Sequence, residues 1–260
     1  MPIVSPLKAR GARCAALVAL ALAIGGPIAG RAQDMPEVDT ALVVSIDVSN
    51  SVDSTRYRLQ LEGIAKALED DSVIEAILTG GRGGILISLV MWADKPKISV
   101  PWSRISSKEE ALAVAQQVRR LPREGGEFTC MSGMMRMIAD KVVTQIPATA
   151  NRIVVDVSGD GKDNCNREEP VDVVRDELVN SGVIINGLPI LEGDDGPLLE
   201  GWYTDHVIGG PGAFVLPAKG FGDFERAIRQ KFVNEISGTM PVSKYAEGGL
   251  KPVRPAKQYD

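Results

Sequence analysis

Residues 47–51 read Asp-Val-Ser-Asn-Ser and directly follow the apolar run 41–46, ALVVSI. A carboxylate and two hydroxyls within five residues are all hard oxygen donors. Such donors suit Mg²⁺, Mn²⁺ or Ca²⁺ and argue against zinc or copper, which favour nitrogen and sulfur. Two later loops offer the same chemistry. Residues 127–130, Glu-Phe-Thr-Cys, supply the hydroxyl of Thr129, and residues 158–161, Ser-Gly-Asp-Gly, supply the carboxylate of Asp160. Asp47, Ser49, Ser51, Thr129 and Asp160 together would give an ion two carboxylates and three neutral hydroxyls. Because three of the donors are neutral, the ion would keep room for a carboxylate from another molecule. The plainer reading of residues 47–51 is an Asx or Ser turn that caps the next helix.

Convergence of these loops requires a particular frame. Runs 41–46, 84–92 (GILISLVMW), 152–157 (RIVVDV) and 183–188 (VIINGL) are rich in Val, Ile and Leu and read as buried strands. Helical periodicity is expected over 53–68, 107–120, 131–145, 170–180 and 221–236. Residues 97–101 read as a short antiparallel edge strand, because the link from the preceding strand is too short for a crossover. Residues 209–215 read as a turn into a last short strand. Strands alternating with helices predict an α/β fold of three layers, a mostly parallel Rossmann-like sheet between helices. Ligand loops then open together at the carboxyl ends of the strands. Met131, Met134, Met135 and Met137 on one helix read as core filler.

Composition narrows the function classes. Lys8, Arg10 and Arg13 precede the apolar stretch 14–28, and Gly30-Arg31-Ala32 offers small residues for cleavage. That is the layout of a signal peptide, so residues 1–32 are expected to be removed and the protein to be periplasmic or secreted. An uncleaved anchor is the alternative. Stable membrane insertion is not expected, since the stretch is short and broken by Gly25, Gly26 and Pro27. Removing this leader takes away four basic residues and no acidic one, moving the formal net charge from −5 to −9. An acidic chain with scattered Lys and Arg is a poor nucleic-acid binder. Residues 33–240 are expected to form one domain and 241–260 a frayed tail.

The residue pattern resembles a von Willebrand factor A (vWA) domain. A strand ending in Asp47-x-Ser49-x-Ser51, then Thr129 in a later loop, then a strand followed by Asp160-Gly161, match in order the metal-ion-dependent adhesion site (MIDAS) of that family. Residues 207–214, VIGGPGAF, also resemble a bacterial family of exported, functionally uncharacterised proteins of this type. The resemblance implies a six-stranded sheet, a divalent cation (Mg²⁺ first, Mn²⁺ or Ca²⁺ otherwise) and protein recognition through the metal. Asp47, Ser49, Ser51, Thr129 and Asp160 carry over as the metal positions. Gly159 departs from the family, in which a hydroxyl residue is common at that place. The function implied is that of a non-enzymatic module capturing an exposed Asp or Glu of a partner protein.

Asp47 and Gly159-Asp160-Gly161 also fit a Mg²⁺-dependent phosphatase of haloacid-dehalogenase type, with Asp47 as nucleophile. Ser49 stands where that chemistry needs an acid/base Asp, which counts against it. Two cysteines outlast the leader, Cys130 and Cys165, and in an oxidising compartment they are expected to pair. Two separate buried thiols are the alternative. Because Cys130 follows Thr129 and Cys165 lies five residues after Asp160, convergence of the metal loops would also bring the cysteines together. Asp156, inside a valine run, needs a buried partner, and Ser45 on the neighbouring strand is one candidate. His206, the single histidine, is expected to be a packing or surface residue.

Overall fold

The structure is a computed structural model that describes residues 35–165, 168–193 and 196–239. The expected leader and tail lie outside the described residues. Five strands form one sheet: β1 (Glu37–Asp47), β2 (Ile85–Trp92), β3 (Lys97–Ile105), β4 (Thr149–Gly159) and β5 (Val183–Pro189), in the order β3-β2-β1-β4-β5. β1 pairs parallel with β2 and β4, and β4 pairs parallel with β5. β3 runs antiparallel at the edge, as its short link to β2 demands, and reaches Ile105 rather than residue 101.

Helices cover both faces. α1 (Ser54–Glu69), α2 (Asp71–Leu78), α3 (Lys108–Arg119) and α7 (Phe224–Ser237) lie on one. There Leu42, Val44 and Ile46 of β1 share a core with Ile64, Leu68, Phe224 and Ile228. α4 (Met131–Met137), α5 (Val171–Asn180) and α6 (Gly196–Trp202) cover the other. Val43, Val155 and Val157 pack there against Met134, Val174 and Tyr203. Strand alternation explains the split, since successive side chains stand on opposite faces. Met131, Met134 and Met135 are fully buried, as core filler should be.

Three expectations are corrected. Helix 131–145 is α-helical only to Met137 and continues as a π turn and a 3₁₀ turn to Gln145. The sixth strand is absent among the described residues. Its segment forms only single bridges, from Gly209 and Val215 to β5 and from Ala218 to Ile190 just beyond it. Gly210 adopts φ +95, which a regular strand does not accommodate, and Pro217 cannot donate to a ladder. Ser45 does not neutralise Asp156. The register aligns Val44 with Asp156 and Ser45 with Val157, so the two side chains stand on opposite faces, and Ser45 Oγ donates instead to the Asp156 backbone carbonyl at 3.0 Å.

Candidate metal centre

Strand order reverses between β1 and β4, where β1 leads to β2 on one side and β4 lies on the other. Crevices for ligands open at such a point, outside the carboxyl ends of the strands. Asp47 ends β1 and Asp160 follows β4. Asp47 is fully buried, its backbone carbonyl accepting from Gln60 Nε2 at 3.0 Å. One carboxylate oxygen, Oδ1, accepts from the Ser49 amide at 2.8 Å, an Asx turn. Helix capping falls elsewhere: Asp53 accepts from the amides of Thr55 and Arg56, both at 2.8 Å. The hydroxyls of Ser49 and Ser51 are therefore not consumed by the cap.

Those hydroxyls link all three loops. Thr129 Oγ1 donates to Ser49 Oγ at 3.3 Å, Ser49 Oγ lies 3.2 Å from Ser51 Oγ, and Ser51 Oγ donates to Asp160 Oδ1 at 2.7 Å. All five oxygen-bearing residues singled out in the sequence thus meet at one sheet edge. Asp47 Oδ2 is buried and has no hydrogen-bond partner. An orphaned carboxylate oxygen beside a run of hydroxyls is what a cation site presents when cation-free, because burying it otherwise costs free energy. Among the described residues no three His, Cys, Asp or Glu side chains assemble as a metal-holding group. The donor set is two carboxylates and three hydroxyls, which fits a hard ion.

Electrostatics at the site follow from burial. Desolvation pushes the Asp47 carboxyl up to about 7, the Asp160 charge adds to the rise, and the Ser49 hydrogen bonds oppose it. Burial likewise raises Asp160, against the Ser51 hydroxyl and the Arg56 charge. Tyr203 is pushed well above its ordinary value, by burial first and then by Asp47 and Asp160. Its hydroxyl donates to the Gly159 carbonyl at 3.4 Å. Here lies the reason for glycine at 159. A Cβ there would stand 3.0 Å from the Tyr203 hydroxyl and 3.1 Å from Asp47 Oδ2.

Several bracing residues escaped the sequence reading. Asn164 Oδ1 accepts from the Thr129 amide at 2.7 Å, and the Asn164 amide donates back to the Thr129 carbonyl at 3.0 Å. Asp163 accepts from the Ser132 amide at 3.1 Å. Cys130 and Cys165 are bonded, with Cα atoms 4.9 Å apart, so the Thr129 and Asp160 loops are tied covalently. Asp94 accepts from the amides of Glu127 and Phe128. Two arginines clamp the first loop. Arg56 donates to the Ser51 carbonyl at 2.6 Å and pairs with Glu192 at 2.7 Å, while Arg123 donates to the Val52 carbonyl at 2.6 Å. The adjacency of Asp163 and Asn164 to Cys165 was the available signal. His206 lies beside Trp202, with ring centroids 5.4 Å apart.

A family model described as "Protein of unknown function (DUF1194)" matches residues 37–240. No curated protein matches the chain. Several solved structures are similar in fold. Proximal thread matrix protein 1 from the mussel byssus, in a form with a zinc-occupied MIDAS motif, is 16% identical with a TM-score of 0.59, over 77% of this chain and 48% of that one. A von Willebrand factor type A protein from Catenulispora acidiphila is 15% identical with a TM-score of 0.55, over 76% and 43%. The vWF domain of the type V pili tip protein Mfa5 from Porphyromonas gingivalis is 12% identical with a TM-score of 0.50, over 80% and 98%. The chain thus spans about half the length of the byssus protein. Identities this low speak to fold alone, and that fold is the vWA fold. The chain belongs to the DUF1194 family and folds as a von Willebrand factor A domain.

Proposed function

We propose that this protein is an exported, non-enzymatic recognition module. Asp47, Ser49, Ser51, Thr129 and Asp160 hold a divalent cation, Mg²⁺ by donor chemistry, with Mn²⁺ or Ca²⁺ as alternatives. When bound, the cation offers an exchangeable position to an exposed Asp or Glu of a partner protein. The observation that carries this reading is the buried, unpartnered Asp47 Oδ2 beneath the hydroxyl chain from Thr129 to Asp160. The zinc in the MIDAS motif of the byssus protein supports a divalent ion in this fold. Export is supported by the Cys130–Cys165 bond, which persists in oxidising compartments. The expected leader, residues 1–32, and the boundaries of a domain over 33–240 belong to the same proposal.

The phosphatase alternative loses ground. The similar structures are vWA-type modules, and Ser49 spends its hydroxyl on Ser51 and Thr129 rather than on proton transfer. Calorimetry with Mg²⁺ and Mn²⁺ on wild type and Asp47→Ala tests the site, and an unchanged isotherm in the variant sinks it. Affinity capture from envelope extract, with and without chelator, then tests the partner. Proteins lost both on chelation and in Asp47→Ala are the expected ligands. Phosphoester turnover that requires Asp47 would overturn the non-enzymatic reading.

A further inference from the structure

A second buried polar cluster lies on the other side of the sheet from Asp47, and metal binding has no use for it. Asp156 of β4 and Lys231 and Glu235 of α7 are at most 3% exposed. Lys231 Nζ stands 2.9 Å from Glu235 Oε1 and 3.4 Å from Asp156 Oδ1. Asn186 of β5 donates to Glu235 Oε1 at 2.9 Å and accepts from the Phe214 amide at 3.0 Å. The Phe214 ring lies 4.5 Å beneath Nζ. Neither Asp156 carboxyl oxygen makes an aligned hydrogen bond. In direct contact, two carboxyl groups face one amine, while the Arg152 charge is felt at Glu235 and not at Asp156, and unpaired buried charge is strongly disfavoured.

We propose that Lys231 and Asp156 form an intramolecular amide crosslink, with Glu235 as the proton acceptor. The starting set is a Lys231 ammonium, a Glu235 carboxylate and an Asp156 carboxylic acid. Burial, and then the Glu235 charge, hold Asp156 well above the usual carboxylate range, which favours the acid form. Glu235 takes a proton from Nζ, and the freed amine attacks Asp156 Cγ. The new C–N bond forms as the C–OH bond breaks, and the hydroxyl leaves as water with a second proton from nitrogen. The products are a neutral amide, a neutral Glu235 acid and one water, so atoms and charge balance and no oxidant or reductant is needed. An ammonium and a carboxylate disappear from the interior, which removes their desolvation cost.

Geometry assigns the roles. Glu235 is fixed by Asn186 and sits one helical turn from Lys231, closer to Nζ than Asp156 is. Asp156 is the carboxyl without stabilising hydrogen bonds, hence the electrophile. Phe214 and the Gly187 carbonyl, 3.5 Å from Nζ, keep the amine in place. Holding reacting groups together in a dry site replaces a bimolecular encounter and supplies much of the rate. An amine kept from water is also the usual lysine nucleophile. The bond would join α7 to β4 four residues before Asp160, and so brace the strand that ends in the metal loop.

Mass spectrometry of the purified full chain, reduced and alkylated under denaturing conditions, decides the matter. The expected mass is one water below that of the sequence after any leader cleavage, and fragmentation joins the peptides carrying Asp156 and Lys231. Lys231→Met abolishes the loss, and Glu235→Gln slows or stops it. An unshifted wild-type mass overturns the proposal and leaves an ion cluster. A water loss mapped to any other pair, including Lys231 with Glu235, overturns it equally. The wild-type measurement stands even if the variants fail to fold, and it does not depend on metal.

Discussion

Binding of the cation at Asp47 should release a proton and weaken steeply in acid. In the metal-free protein the Asp47 carboxyl sits near 7 rather than its ordinary 3.8. A metal must displace that proton, because only the carboxylate ligates. Below about pH 7 apparent affinity therefore falls about tenfold per pH unit, giving ~100-fold weaker binding at pH 5 than the plateau above pH 7. The raised Asp160 adds to the slope in the same direction. Titrating Mn²⁺ calorimetrically at pH 6, in buffers of different ionisation enthalpy, counts the proton directly. Affinity flat between pH 5 and 7 would refute the burial argument for Asp47.

Fold stability should respond with the opposite sign. Between pH 3.8 and about 7 the unfolded chain has released the Asp47 proton and the folded protein still holds it. The folded state binds more protons there, so metal-free stability falls as pH rises and levels off above 7. A shift of about three units corresponds to about 4 kcal/mol across that window. Asp47→Asn, which keeps the shape without the charge, should flatten this fall while abolishing metal binding. The variant should then be at least as stable as metal-free wild type at pH 8, by urea denaturation. A loss of several kcal/mol would show that the ionised carboxylate supports the fold.

Three further perturbations are informative. Thr129→Ala should abolish Mn²⁺ binding yet cost only about 1 kcal/mol, since one long hydroxyl contact to Ser49 is lost; calorimetry and denaturant unfolding read the two effects. Replacing Cys130 and Cys165 by Ser opens a loop spanning 35 residues and should lower stability by about 4 kcal/mol on the chain-entropy account, with weaker metal binding. Gly159→Ser should destabilise the fold by about 1–3 kcal/mol through crowding against the Tyr203 hydroxyl and Asp47, and Tyr203→Phe should partly relieve it.

Of the proposed metal donors, those at strand ends were the most legible, because strand ends are marked by apolar runs, whereas Thr129 lies in the loop from α3 to α4. Asp47, Ser49 and Ser51 follow residues 41–46, and Asp160 follows the valine run of β4. Local signals of that kind need no knowledge of distant contacts. What was hidden depended on pairing across the chain. The partner of Asp156 is Lys231, 75 positions on, where only a Lys and a Glu inside the buried stripe Phe224, Ile228, Lys231 and Glu235 gave a clue. α2 was missed because only Asp70 separates it from α1, with no Gly or Pro between, although Asp70 caps it through the Ser72 amide. α6, GPLLEGW, has a Pro and two glycines that speak against a helix.

The bracing around the site bears on what the proposed metal would be for. Each proposed metal loop is held by the protein itself: the first by Arg56 and Arg123, the second by Asp94 and Asn164, the third by Cys165 and Ser51. Ligands fixed in advance lose little freedom on binding, and affinity gains accordingly. The fold for its part gains only the linkage term, RT ln(1 + [L]/Kd), which stays small for a weakly held ion. Chelation should then leave the fold intact and remove only partner capture. A domain that unfolds on chelation would instead make the ion a structural element, and the orphaned Asp47 Oδ2 would mark a missing part of the core rather than an open coordination site.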